Sequence, residues 1–213
     1  MIPHFHEAMV SYLFLALVFV TSVVGLFHRS FYYANIFQPS QVFSGKRVWT
    51  LFSSALVHGS WMHLLVNVGF CLVFMSEVEY MLVDDFGPLA GRGYAVALAL
   101  IIIITSNLID GFRLRANSMS ATVGISTLAC AMAVFYFIYF PLDGEDTPSY
   151  IFPSFKAFHI ALGLVATFSL AAIFRVKGNQ FSHLVGCLLG MMTAVVIRPA
   201  LIAEMASYIF TGS

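Results

Sequence analysis

The sequence predicts an all-α polytopic membrane protein, a bundle of six transmembrane helices in a single domain, residues 1–213. Three observations predict it. Of 213 residues, 60% are hydrophobic and only 9% charged, more apolar surface than a soluble domain of this length buries. Six windows approach the roughly 20 apolar residues that a helix needs to cross about 30 Å of hydrocarbon. The polar residues that interrupt those windows gather at the starts of the even-numbered ones.

The first window, 9–27, is too long for a signal-peptide core, has no Lys or Arg before it and shows no small-residue cleavage site, so it is expected to stay as a helix. The connector 28–61 is rich in Phe31, Tyr32, Tyr33, Trp49 and Trp61, residue types that favour the membrane interface. A loop that long in a compact bundle is usually functional. The second window, 62–82, is entered through His58, His63 and Asn67. The third, 94–109, is the shortest and carries the Ile101–Ile104 run. Ser118 and Ser120 open the fourth, 118–140. The fifth spans 156–174. The sixth, 181–202, opens with Ser182 and His183. Cys71, Cys130 and Cys187 fall one each in the second, fourth and sixth windows, which favours free thiols over a disulfide framework. Repeats, low-complexity tracts and an extramembrane domain are absent from the pattern. Net charge is zero and no basic stripe suggests nucleic acid; no obligate partner is evident.

Polar groups inside spans are costly and therefore informative. Successive spans alternate direction, so even-numbered spans begin on one side of the membrane, and the histidines, Asn67 and the serines converge there. His63 and Asn67 are four residues apart and share a helix face, whereas His58 lies before the helix or on another side. Any one of these groups alone reads as an interhelical hydrogen-bonding residue. Together, the two donors stacked on one face make an anion-facing edge. Gly186 and Gly190 follow His183 by one and two turns, a GxxxG on roughly its face that lets a neighbouring helix approach closely.

Arg47-Val48-Trp49-Thr50, then His58-xxxx-His63-xxx-Asn67, a serine opening the fourth span, and His183-xx-Gly186-xxx-Gly190 resemble the rhomboid family of intramembrane serine proteases. The resemblance covers most of the chain, in order and on the matching helices. It implies a six-helix rhomboid-like bundle that hydrolyses peptide bonds in or near the transmembrane segments of single-span membrane proteins, within the lipid bilayer and without cofactor or metal. It implies Ser120 as nucleophile and His183 as its general base, a dyad without a third carboxylate. His63, Asn67 and the backbone N–H of Ser120 would form the oxyanion hole, with His58, Arg47, Gly186 and Gly190 in supporting places and the connector 28–61 partly immersed beside the bundle. Such donors, preorganised in a water-poor site, stabilise a tetrahedral intermediate by several kcal/mol, and burial keeps His183 neutral and able to accept a proton.

The sequence departs from the family pattern at two points. The family's GxSG is matched to Ser118-Met119-Ser120-Ala121, without either glycine, and the aromatic residue that commonly stacks on the catalytic histidine, four positions after the serine, falls on Gly124. These departures keep open a catalytically inactive rhomboid-like protein that binds transmembrane helices. A histidine-based metal-binding or transport protein using His58, His63 and His183 is a third class. It is disfavoured because two imidazoles five residues apart do not converge as i, i+4 ligands would. Orientation signals conflict. Arg29, Lys46, Arg47, Arg113, Arg115, Arg175 and Lys177 lie on the site side against Arg92, Lys156 and Arg198 opposite, while Glu77, Glu79, Asp84, Asp85, Asp143, Glu145 and Asp146 cluster opposite. The positive-inside rule places the site in the cytoplasm, whereas the family resemblance implies an extracytoplasmic site, and the expectation here follows the family.

Overall fold

The computed structural model describes residues 2–142, 156–176 and 178–211; Asp143, Glu145, Asp146 and Lys177 of the charge comparison lie outside them. Among the described residues the regular structure is helical, as expected. In chain order the helices are α1 (Met9–Phe27), α2 (Arg29–Asn35), α3 (Pro39–Val42), α4 (Thr50–Ser53), α5 (Trp61–Leu114), α6 (Ser126–Tyr139), α7 (Ala157–Ile173), α8 (Gln180–Ile197) and α9 (Ala200–Thr211). α1, α5 and α8 are long and apolar enough to cross a membrane, and α6 and α7 are shorter apolar helices. The chain divides into two compact units, Met1–Ala129 and Cys130–Ser213.

In the first unit α1 buries Ser11, Leu15, Val18, Ser22 and Gly25 at spacings of four and three. These mostly small residues let it lie close to α5, while Leu13, Leu17, Val20 and Phe27 are exposed on its other faces. α5 holds both the second and the third expected spans. They part at Gly87, whose φ of 80° is open to glycine and strained for other residues. Pro88 follows, without an N–H to continue the helical ladder. The chain reverses there: a Cβ on Gly91 would lie 2.5 Å from the Val83 Cα, and Phe86 meets Tyr94 edge-on at 5.0 Å. Residues 61–86 and 88–114 are thus two arms of a helical hairpin. The first arm buries Leu64, Asn67, Cys71, Met75, Val78 and Leu82, one helical stripe, so Asn67 faces protein and not lipid.

Glu79, fully buried on that arm, accepts the N–H groups of Val10 at 3.0 Å and Ser11 at 2.6 Å. The first amides of a helix have no partners within it, and its positive end favours an anion. A carboxylate inside the expected second span is therefore the cap of α1, with Arg92 Nε 4.0 Å away. In the connector, Arg47 holds a positive φ of 54°. Its guanidinium donates to the Tyr33 carbonyl at 2.5 Å, the Ile36 carbonyl at 3.2 Å and Gln38 Oε1 at 2.8 Å. This clasp gathers the end of α2 and the start of α3 into one folded loop.

In the second unit α7 packs on α8, and α8 meets α6 at Gly190. A Cβ on Gly190 would overlap the Ala131 carbonyl oxygen and sit 2.9 Å from the Ala131 Cα. One turn earlier the Cys187 thiol hydrogen-bonds with Cys130; all three cysteines are free. α8 stops at Ile197, and after Arg198 and Pro199 the chain enters α9. Arg198 pairs with Glu204 of α9 at 2.7 Å and donates to the Tyr139 carbonyl at the end of α6. Tyr208 of α9 meets Phe158 of α7 edge-on at 5.8 Å.

Candidate functional site

His58 is completely buried in the turn before α5, and both its nitrogens are engaged. Nε2 lies 3.4 Å from the backbone N of Ile125, whose N–H can only donate. The proton therefore sits on Nδ1 and is donated to Ser22 Oγ at 2.8 Å, and the Ser22 hydroxyl passes its own to the Leu56 carbonyl at 3.0 Å. Burial, and then the neighbouring charge of His63, push the imidazole down to about 3, so the neutral form that this chain of bonds requires is the one present. His58 thus ties α1, through Ser22, to the segment before α6, through Ile125.

The residue seated on it is Gly124. Its φ is +93°, and a Cβ there would lie 2.9 Å from His63 Cε1 and 3.1 Å from His58 Cδ2 and Nε2. The Gly124 N–H donates to the Ser54 carbonyl at 2.9 Å, while Asn107 on the second arm of α5 holds the Ser54 hydroxyl at 3.2 Å and the Leu51 carbonyl at 2.8 Å. Two residues earlier Thr122 exchanges both backbone bonds with Phe37, at 2.9 and 3.0 Å, an isolated antiparallel bridge to the connector. The segment 122–125 is therefore fixed to the connector, to the turn before α5 and to the two histidine rings.

The helix that follows opens at Ser126, not at residue 118. Ser118 and Ser120, expected at the start of the fourth span, lie in the preceding loop. The Ser120 N–H donates to the Asn117 carbonyl at 3.2 Å. The turn of 117–120 is closed again by the Met119 N–H to Asn117 Oδ1 at 3.0 Å. Ser126 stands where the sequence reading wanted a serine. It is half-buried, it is the first residue of α6, and as such its N–H has no partner within the helix. Gly124-Ile125-Ser126 is itself a G-x-S triplet, six residues beyond the serine first chosen. Gly124, read from sequence as the place of a missing aromatic, is the turn glycine of this triplet.

His63 lies in the first turn of α5, held there by the Ser60 N-cap, whose Oγ accepts the His63 N–H at 3.2 Å. Its ring meets that of His58 at 5.0 Å, nearly perpendicular. One turn on, Asn67 is 6% exposed and its amide Nδ2 has no hydrogen-bond partner. A buried donor left unpaired costs about 1–3 kcal/mol and asks for an explanation. In the second unit His183 is half-buried on the first turn of α8, with Phe168 of α7 edge-on to its ring at 5.1 Å. Gly186 and Gly190 are buried on the same helix. Among the described residues, the Arg47 guanidinium bonds to Tyr33, Ile36 and Gln38 of the connector.

Sequence reasoning did not single out Ser126 or Phe168. A G-x-S triplet was legible for the first; an aromatic on a different helix left no local signal for the second. The chain matches the Rhomboid domain model over residues 45–200, a stretch that contains Arg47, His58, His63, Asn67, Gly124, Ser126 and His183. No curated protein matches the chain. A helical membrane chain that fits this domain over most of its length, with His58, His63 and Gly124 packed as one group, belongs to the rhomboid family.

Proposed function

We propose that the protein is an intramembrane serine protease in which Ser126, in place of Ser120, is the nucleophile and His183 the general base. The observation that carries the reading is the seating of Gly124 on His58 and His63, two residues before a serine that begins a helix. In this reading the Ser126 hydroxyl attacks a peptide carbonyl of a single-span substrate and His183 takes its proton, then returns it to the leaving amine. The charge that develops on the carbonyl oxygen is met by Asn67, whose amide is otherwise unpaired, by His63 and by the free amides at the start of α6, where the helix dipole adds to them. Water then releases the acyl group from Ser126.

Two further facts support the pairing of roles. Ser126 and His183 each lie four residues before Cys130 and Cys187, the hydrogen-bonded pair of α6 and α8. Phe168 gives the His183 ring an edge contact, supplying the orientation that an aromatic at position 130 would otherwise give. The site opens to the extracytoplasmic side in this reading, following the family; a reporter fused after Ser213 tests that orientation.

The competing reading, an inactive relative that holds transmembrane helices, draws on Thr127, which stands where the family's second glycine would be. Ser126→Ala decides between them. It should abolish both cleavage of a single-span reporter and labelling by a fluorophosphonate, with the thermal midpoint in detergent unchanged, while Ser120→Ala keeps both activities. A folded native protein that neither cleaves nor labels supports the inactive relative. Lost labelling in Ser120→Ala with labelling retained in Ser126→Ala returns the nucleophile to Ser120.

A further inference from the structure

We propose that α9 is an interfacial anchor: a helix lying along the membrane surface, with its outward face in the lipid headgroup and upper acyl region. The inference is independent of catalysis and concerns a helix beyond the family match, which ends at residue 200. α9 holds 12 residues, Ala200–Thr211, a reach of about 18 Å.

Its start is fixed at the end of a span, because Pro199 ends α8 and Arg198 ties the junction to the Tyr139 carbonyl. Its far part is fixed at the same level. Tyr208 meets Phe158, the second residue of α7, so α9 runs across the end of its unit, neither back down through the bilayer nor away from it. The decisive feature is which face points outward. A helix resting on a water-soluble surface turns apolar residues inward and polar ones outward. α9 instead turns its two large exposed apolar side chains, Ile202 and Phe210, outward. Glu204 and Tyr208 point to the protein, where Arg198 and Phe158 receive them, and Leu201 is fully buried between. Ile202 and Phe210 point out, 62% and 87% exposed, with Ala203 and the small Ser207 also on that exposed face. In water the two large apolar side chains would stay hydrated; lipid removes them from water.

The occupant is bilayer lipid because this face continues a lipid-facing one. Leu188, Met192 and Val196, spaced by four, form the exposed apolar stripe of α8, and α9 follows that helix directly. An amphipathic helix at this depth buries its apolar face about 5–10 Å into the headgroup and acyl boundary.

The test uses the full chain in vesicles of phosphatidylcholine and phosphatidylglycerol. Phe210→Trp is introduced in a Trp49→Phe, Trp61→Phe background, leaving one tryptophan at a position that is exposed in the fold. The expected result is blue-shifted emission, quenched most strongly by lipids labelled near the headgroup and little by aqueous acrylamide. Strongest quenching by labels at the bilayer centre overturns the proposal, since α9 would then be part of a span. Red emission quenched by acrylamide and by no lipid label overturns it in favour of a water-exposed helix. Emission that depends on the protein-to-lipid ratio and resists lipid quenching overturns it in favour of a second copy of the chain on that face. The measurement reads α9 whether or not Ser126 is reactive.

Discussion

Gly124→Ala probes the contact on which the site reading rests. The added methyl would sit 2.9 Å from His63 Cε1, about 0.6 Å inside the shortest favourable carbon–carbon separation. It would also meet His58 at 3.1 Å, and neither ring can yield freely, because the His58 nitrogens are tied to Ser22 and Ile125. Relief must come from the loop. Holding a non-glycine residue at φ +93° costs about 1–3 kcal/mol, and overpacking a filled site roughly another 1–3, so a loss of about 2–6 kcal/mol is expected. Retreat of the loop by several tenths of an ångström carries Ser126 with it, and a misplacement of about 1 Å costs up to roughly a hundredfold in rate. The assay is cleavage of a single-span reporter in vesicles, together with the thermal midpoint in detergent. Gly69→Ala, where an added methyl meets nothing within 4 Å, is the control and should be neutral or slightly stabilising. A Gly124→Ala protein with native stability and rate would refute the seating of this loop on the two histidines. A destabilised protein whose folded fraction cleaves at the native rate would refute the link from the seating to Ser126.

The remaining predictions concern single groups. Asn67→Ala should slow cleavage by about a hundredfold to a thousandfold while lowering the thermal midpoint only slightly, since the amide it removes has no partner; full activity would make Asn67 a packing residue. Gly190→Ala should lower stability by about 1–3 kcal/mol or more, because the methyl would overlap the Ala131 carbonyl, and an unchanged midpoint would contradict the close approach of α6 and α8. His58 predicts an acid limb of stability. Between its ordinary value of 6.5 and about 3, the unfolded chain takes up a proton that the folded one refuses. Stability fully present above pH 6.5 is then lost as pH falls through that window, by at most about 1.4 kcal/mol per unit. His58→Gln should flatten this limb in detergent melts, and an identical slope in both proteins would assign it to other groups.

The helical class and the polar residues of the first arm of α5 were readable because they rest on local periodicity. His63 and Asn67 are four apart, and Asn67 shares the stripe of Leu64 and Cys71, so its burial follows from spacing. The start of α6 was misplaced because residues 118–125 are apolar enough to pass as helix. What prevents a helix there is tertiary: the bridge of Thr122 to Phe37, the Gly124 amide held by Ser54 and a positive φ that only the histidine packing explains. In the proposed reading the same misplacement carries the nucleophile six residues on, from Ser120 to Ser126. The separate existence of α9 was missed for a different reason. Arg198-Pro199 falls near the end of a long apolar window, which reads as one continuous span. The role of Glu79 was also hidden, since its partners are 68 and 69 residues away in sequence.

That distance sets an order of assembly. α1 is made first, and its leading amides have no acceptor of their own until the chain has been extended through Glu79 on the first arm of α5. Until then α1 is an incomplete element, able to enter the bilayer but not to seat its first turn. Completion of the first arm of α5 therefore brings a charge out of the apolar phase and finishes an earlier helix in the same event. A ribosome stalled before Glu79 should leave the first turn of α1 open to amide exchange, and one stalled after the hairpin has closed should leave it protected.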